Sequence, residues 1–402
     1  MIRQVNQSEL RPGMYVHRLE AAWMDHPFFR NRFKINDFSD IEKICKSGIK
    51  IIYIDTDKGL DIESSILHRD PLLSAEPAVD STRESVYTPV SVAEEQVKAR
   101  LVKQEAGRVI SGIMADIRLG RQVDAERVSP VVEEMLGSIF RNQDALLGLT
   151  RIRQMDRYTF EHSVSVSVLL IAFAKKLGFD ESTIWEVGIG GLLHDIGKLQ
   201  VPDEILNKPG RLTDEEFSIM RDHVGFGSRL LGGAEAIPGR ALQIVRQHHE
   251  RLDGSGYPGN LLAEEISQYG KMAAIADVYD AITSDRVYHK GKPPNIVLRQ
   301  LVGWSEERLF DAELVQRFVQ CVGIYPVGTV VALESGRLAV VVASPQKTLL
   351  TPVVKVIYDL RKACFVNPAL LDLAARDSDS GERIVKAVSP EDYGIRIASF
   401  LD

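Results

Sequence analysis

The sequence predicts a mainly α protein, with a small α/β domain before a long helical region and a small β-rich region after it. Three observations carry this. From Val92 to about Val322 the pattern is helical and carries helix stop and start signals, such as Gly178 followed by Asp180. β-Branched runs that read as strands occur near the start of the chain and return from Tyr325 onward. A segment rich in Ser, Pro, Asp and Glu, with Pro71, Pro77 and Pro89, separates the first end from the helices, and such a composition reads as a mobile linker. The predicted division is residues 1–60, a linker over 61–92, helices over 93–322 and a β-rich region over 323–402.

Taken in order, Met14 to Leu19 reads as a strand, Ile41 to Lys46 as a short helix closed by Gly48, and Ile49 to Ile54 as a buried strand. Val164 to Ala174, ending at Lys175-Lys176, reads as a core helix and is too short to span a membrane. Thr213-Asp214-Glu215-Glu216 is a capping box that opens the helix predicted to carry His223. Thr329 to Leu333, Leu338 to Val342 and Val353 to Ile357 read as strands, punctuated by Gly336 and Pro345.

Composition narrows the function. The 402 residues are 45% hydrophobic and 26% charged, as in globular proteins, and the net charge of -7 argues against a general nucleic-acid or anionic-membrane binder. Three scattered cysteines, Cys45, Cys321 and Cys364, fit a reducing compartment rather than a disulfide framework. No signal-peptide region follows Met1, so the expected location is cytoplasmic.

The residues that carry chemistry cluster on the helical region. His248-His249-Glu250 is followed by Asp253-Gly254-Ser255-Gly256-Tyr257-Pro258, and upstream lies His194-Asp195-Ile196-Gly197-Lys198. A lone histidine on an apolar helix is usually a satisfied core residue. Here five of the nine histidines, His162, His194, His223, His248 and His249, fall on one helical region, and imidazole is the commonest ligand for Zn-, Fe- and Ni-class metals. Asp195 beside His194 has the two oxygens needed to bridge two cations, an arrangement that lowers the pKa of a hydroxide held between them. Lys198, four residues after His194, is predicted on the same helix face, where its ammonium would hold a phosphate oxygen. Asp277 and Asp280 share a face, one able to ligate while the other orients a histidine or meets substrate. Arg286 can clamp a phosphate in bidentate fashion, with Lys290 beside it, and Tyr257 offers an aromatic face to a base.

These motifs resemble the HD-GYP family, a branch of the HD superfamily of metal-dependent phosphohydrolases, over roughly Thr150 to Val322. The resemblance implies an HD-type helical bundle, an iron or manganese centre and hydrolysis of cyclic di-GMP to the linear dinucleotide or on to GMP. It also implies diguanylate cyclase-type domains as partners through the Gly-Tyr-Pro loop, and a homodimer as a candidate assembly. Residues 8–60, with Leu10-Arg11-Pro12-Gly13-Met14-Tyr15-Val16 and Trp23-Met24-Asp25-His26-Pro27-Phe28, resemble a domain of unknown function that often precedes HD-GYP domains. Family members with three metals carry Glu four residues before the first histidine. Tyr158 stands there in this chain, so two metals are expected, held by His162, His194, Asp195, His223, His248, His249 and Asp277, with hydrolysis halting at the linear dinucleotide. The rival readings are an HD phosphohydrolase for another cyclic dinucleotide or a nucleoside triphosphate, a cyclic di-GMP receptor without turnover, and a structural metal protein. The last is disfavoured because structural sites leave no open position.

Overall fold

The computed structural model describes residues 2–6, 10, 13–19, 33–35, 41, 44, 51–59, 87–121, 123–151, 158–233, 237–285, 290–344, 349–375 and 382–401. The chain divides into two compact units, residues 1–84 and 85–402. In the first unit, β1 (Ile2–Asn6), β2 (Tyr15–Leu19), β3 (Phe33–Lys34) and β4 (Ile51–Asp55) form an antiparallel sheet ordered β1-β4-β2-β3. Ile52 and Ile54, two residues apart on β4, point to one face and pack with Val5, Met14, Val16, Ile35 and Ile44. Of the short helix expected over residues 41–46, Ile41 and Ile44 are described, and both are helical. The motif Trp23 to Phe28 and most of the expected linker lie outside the described residues.

The second unit opens with α1 (Val92–Arg118), capped by a reciprocal pair between Ser91 and Glu94. It packs beside α2 (Ser129–Thr150), and α2 packs on α3 (Tyr158–Lys176). Every residue of α3 from His162 to Ala174 is buried, so the predicted core helix is enclosed on all faces. The bundle continues through α4 (Glu181–Leu193), α5 (Asp203–Leu206), α6 (Asp214–Arg221), α7 (His223–Gly232), α8 (Gly239–Gln247), α9 (Gln268–Thr283), α10 (Pro294–Glu306) and α11 (Ala312–Val322). α4 packs on α3 and α8, and α9 packs on the same two helices, which surrounds the histidine-bearing segments.

Two sequence expectations need correction. His194 and Lys198 do not share a helix face, because α4 ends at Leu193 and Ile196–Gln200 forms a 3-10 turn. That turn is pressed onto α7: a Cβ at Gly197 would lie 1.9 Å from the His223 carbonyl oxygen. The capping box at Thr213 is present, but the helix it opens stops at Arg221, and His223 begins the next helix.

The remaining chain forms an antiparallel sheet ordered β8-β7-β6-β5-β9, with β5 (Val330–Leu333), β6 (Arg337–Ala343), β7 (Val353–Asp359), β8 (Cys364–Asp372) and β9 (Ile384–Ala387). The sequence shows three of these strands. β8 contains Pro368 and is nearly all exposed, which suits the sheet edge and masks its strand pattern. Among the described residues, no helix is long and apolar enough to cross a membrane.

Candidate metal centre

Five helical segments deliver the expected ligand types to one buried spot. His162 comes from the first turns of α3, His194 caps the C-terminus of α4, and His223 opens α7. His248 caps the C-terminus of α8 with His249 beside it, and Asp277 comes from α9.

Asp195 lies between two sets of imidazoles. Its Oδ2 is 3.5 Å from His162 Nε2 and 3.3 Å from His194 Nε2. Its Oδ1 is 3.4 Å from His223 Nε2 and 3.8 Å from His248 Nε2. The candidate ligand atoms of His162, His194 and Asp195 lie within 4.8 Å of one another, and so do those of Asp195, His223, His248 and His249. Asp277 reaches both sets: Oδ1 is 3.1 Å from His162 Nε2 and Oδ2 is 3.8 Å from His249 Nδ1.

The histidines are fixed by the nitrogen that faces away from the cluster. Nδ1 of His194 donates to the Gly191 carbonyl at 2.8 Å, that of His223 to Met220 at 2.7 Å, and that of His248 to Val245 at 3.0 Å. A carbonyl only accepts, so each Nδ1 carries the proton and each Nε2 turns a lone pair inward. His162 Nδ1 pairs instead with Asp280 Oδ2 at 2.6 Å. Asp280 therefore stands behind His162 and is buried, away from the place among substrate contacts that the sequence allows it. We expect Asp280→Ala to lower metal affinity or turnover by about 10- to 100-fold, read by metal titration of the apo-protein. Wild-type affinity and rate in that variant would deny it the orienting role.

The electrostatics favour a cation site. Burial alone would favour the neutral acid, yet His194, Lys198 and His223 hold Asp195 well below the usual carboxylate range. Asp277 is likewise burdened by burial but held low, chiefly by His162. Burial pushes His248 down to about 3 and lowers His223 and His249 as well, which leaves their lone pairs unprotonated at neutral pH. Burial opposes a charge on His162, but its hydrogen bonds to the Asp277 and Asp280 carboxylates outweigh it and raise the pKa to about 9.

The residues fit a metal on a direct test. His194 Nε2 and Asp195 Oδ1 are buried polar atoms with no hydrogen-bond partner among the described residues. Such atoms are rare, and cations facing the cluster would satisfy both.

Lys198 reaches Asp195 Oδ2 at 2.6 Å and keeps a quarter of its side chain exposed, so it touches both the cluster and the solvent side. Tyr257 stacks on His249 with ring centroids 4.6 Å apart, and burial with the nearby Asp277 and Asp195 raises its pKa and keeps the phenol protonated. Arg286 and the Tyr158 side chain lie outside the described residues. Lys290 is exposed and makes no hydrogen bond or ion pair with the cluster among the described residues.

One organising residue escapes sequence reasoning. Glu250 is buried, and its carboxylate accepts from the backbone N–H of Gly259 at 2.7 Å and of Leu261 at 3.0 Å. It thereby pins the Gly-Tyr-Pro loop back onto the histidine pair. Gly256 makes this closure possible, since a Cβ there would sit 2.3 Å from Arg251 N and 2.4 Å from Glu250 Cα. The available signal is an acid placed directly between the double histidine and a loop of unpaired backbone donors.

Comparisons with known proteins agree with this geometry. Residues 2–128 match the family described as "Domain of unknown function (DUF3391)", and residues 139–314 match "HD domain". A cyclic di-GMP phosphodiesterase of Pseudomonas aeruginosa is 39% identical over 399 residues, covering 98% of this chain and 94% of that protein. A cyclic di-GMP phosphodiesterase of Thermotoga maritima is 38% identical over 183 residues, 45% of this chain and 49% of that one. A 3'3'-cGAMP-specific phosphodiesterase of Vibrio cholerae is 35% identical over 190 residues, 46% of this chain and 43% of that one. With the His194-Asp195 and His248-His249…Gly256-Tyr257-Pro258 motifs gathered in one buried centre and a relative matched along nearly its whole length, the chain belongs to the HD-GYP family of HD-domain phosphodiesterases.

Proposed function

We propose that this chain is a metal-dependent phosphodiesterase that hydrolyses cyclic di-GMP. The observation that carries the reading is Asp195, whose two oxygens face two different sets of imidazoles across one buried centre. The proposed ligands are His162, His194, Asp195, His223, His248, His249 and Asp277, for two divalent ions, iron or manganese. When bound, such ions supply Lewis acidity toward the phosphodiester and lower the pKa of water at the site.

The chain's own groups do the rest. The imidazoles keep the centre rigid, because Nδ1 of His194, His223 and His248 is tied to helix backbone and Nδ1 of His162 to Asp280. Lys198 offsets negative charge growing on the phosphoryl oxygens. Burial of the cluster excludes bulk water and strengthens these interactions. Arg286 and Lys290 are proposed to hold the second phosphate of the ring.

Chromatography of products from cyclic di-GMP, with iron- or manganese-loaded and chelator-treated protein, tests the reading. Turnover that depends on metal is expected. A loaded protein that binds the nucleotide without cleaving it would make this a receptor, and one that cleaves 3'3'-cGAMP alone would move the substrate.

The metal count is a separate expectation. A neutral phenol with a pKa near about 10 ligates divalent cations weakly at neutral pH, so Tyr158 does not replace the carboxylate of trinuclear relatives. Elemental analysis should give two metals per chain, with the linear dinucleotide accumulating as product. Tyr158→Glu should recruit a third ion. Three metals in the wild-type protein would contradict this.

A further inference from the structure

Outside the ligand cluster the structure builds a column of side chains that metal binding does not require. Tyr257 lies against His249, with planes inclined by 29°. The Arg221 guanidinium stands over the Tyr257 ring at 5.5 Å and over the Phe217 ring at 4.4 Å. Phe217 meets Tyr257 edge-on, with centroids 6.3 Å apart and planes at 79°. Phe217 and Arg221 are one turn apart on α6, and His223 follows two residues later, so the helix that leads into the cluster also carries the column's outer end.

Two properties distinguish that outer end. The Arg221 side chain is exposed and makes no hydrogen bond or ion pair among the described residues, so its five N–H donors are unspent although it lies over two rings. Phe217 keeps 39% of its surface exposed beside it. A surface arginine with no task moves freely over many rotamers, whereas a guanidinium held over two rings is confined near one place before a ligand arrives.

We infer that Arg221 and Phe217 form the recognition element for a guanine base of the substrate. Phe217 gives the base an apolar surface, and Arg221 donates two parallel N–H groups to O6 and N7 of its Hoogsteen edge. Adenine presents an amino donor where guanine has O6, so it cannot accept both bonds. A phosphate would satisfy the fork but would leave the exposed ring unused, and the phosphodiester is already drawn to the metal cluster. The assignment rests on the cyclic di-GMP reading above and adds the residue that selects guanine.

Steady-state kinetics of the metal-loaded full chain test it, comparing wild type with Arg221→Lys, with cyclic di-GMP as substrate and cyclic di-AMP as competitor. Lysine keeps the charge and loses the fork. The KM for cyclic di-GMP should rise about tenfold in Arg221→Lys, the scale of one lost bidentate base contact, with little change in kcat. Inhibition by cyclic di-AMP should be the same in both proteins. Phe217→Ala should weaken both nucleotides, because stacking does not depend on the base edge. An unchanged KM in Arg221→Lys, or an equal loss for both nucleotides, would overturn the inference and leave Arg221 as a support for Tyr257. A wild-type protein inert toward cyclic di-GMP at every metal loading would remove the activity itself, and this inference with it.

Discussion

Asp195→Ala is expected to abolish turnover of cyclic di-GMP and to lower the metal content of the purified protein. Asp195 sits between both imidazole sets, with one oxygen toward His162 and His194 and the other toward His223 and His248. Alanine removes both contacts and the negative charge that the centre would present to two cations. Among the described residues, Asp277 reaches His162 and His249 but makes no contact within 4 Å with His223 or His248, and Asp280 is tied to His162 Nδ1, so neither replaces Asp195. Burial keeps His223, His248 and His249 neutral, and Asp277 and Asp280 remain as counter-charges to His162, so the fold should survive, as a circular-dichroism melt would report. Asp195→Asn separates shape from charge, since it keeps the volume but offers one oxygen, and it should be equally inactive. A metal-loaded Asp195→Ala protein with wild-type turnover would contradict the shared-carboxylate centre.

Lys198→Ala should lose about 10²- to 10³-fold in kcat while keeping its metals, the usual scale for deleting one contact to transition-state charge. An ammonium has no lone pair to give a cation, so elemental analysis should match the wild type. Its position supports the role, because Nζ contacts Asp195 Oδ2 while part of the side chain stays open to solvent. That same ion pair defines the opposing outcome. If Lys198→Ala emerges with depleted metal, the lysine serves mainly to hold Asp195 in place.

The gathering of the candidate ligands was legible in the sequence because it depends on residue type. Histidines concentrated on one helical stretch, with aspartates beside two of the motifs, have few inexpensive uses in a core, and the structure gathers all seven proposed ligands. What sequence periodicity could not show was where helices break. His194 and Lys198 have helical spacing, but the close approach of the 196–200 turn to α7 is a tertiary contact, visible only once Gly197 is seen against the His223 carbonyl. Asp222 likewise carries no proline or glycine to announce the junction between α6 and α7. Asp280 had two readings at equal spacing from Asp277, and only the packing of α9 on α3 chose between them. Glu250 was hidden for a related reason: its partners, Gly259 and Leu261, are backbone groups in a loop whose closure no local pattern encodes. At the C-terminal end, strands with buried β-branched runs were readable, whereas exposed β8 with its proline was not.

The most direct test is a metal titration of the apo-protein in which bound metal per chain and cyclic di-GMP turnover are followed in the same samples. Activity is expected to appear only as metal is bound and to saturate at two ions per chain, with the linear dinucleotide as product. Full turnover in metal-free protein, or none at complete occupancy, would contradict it.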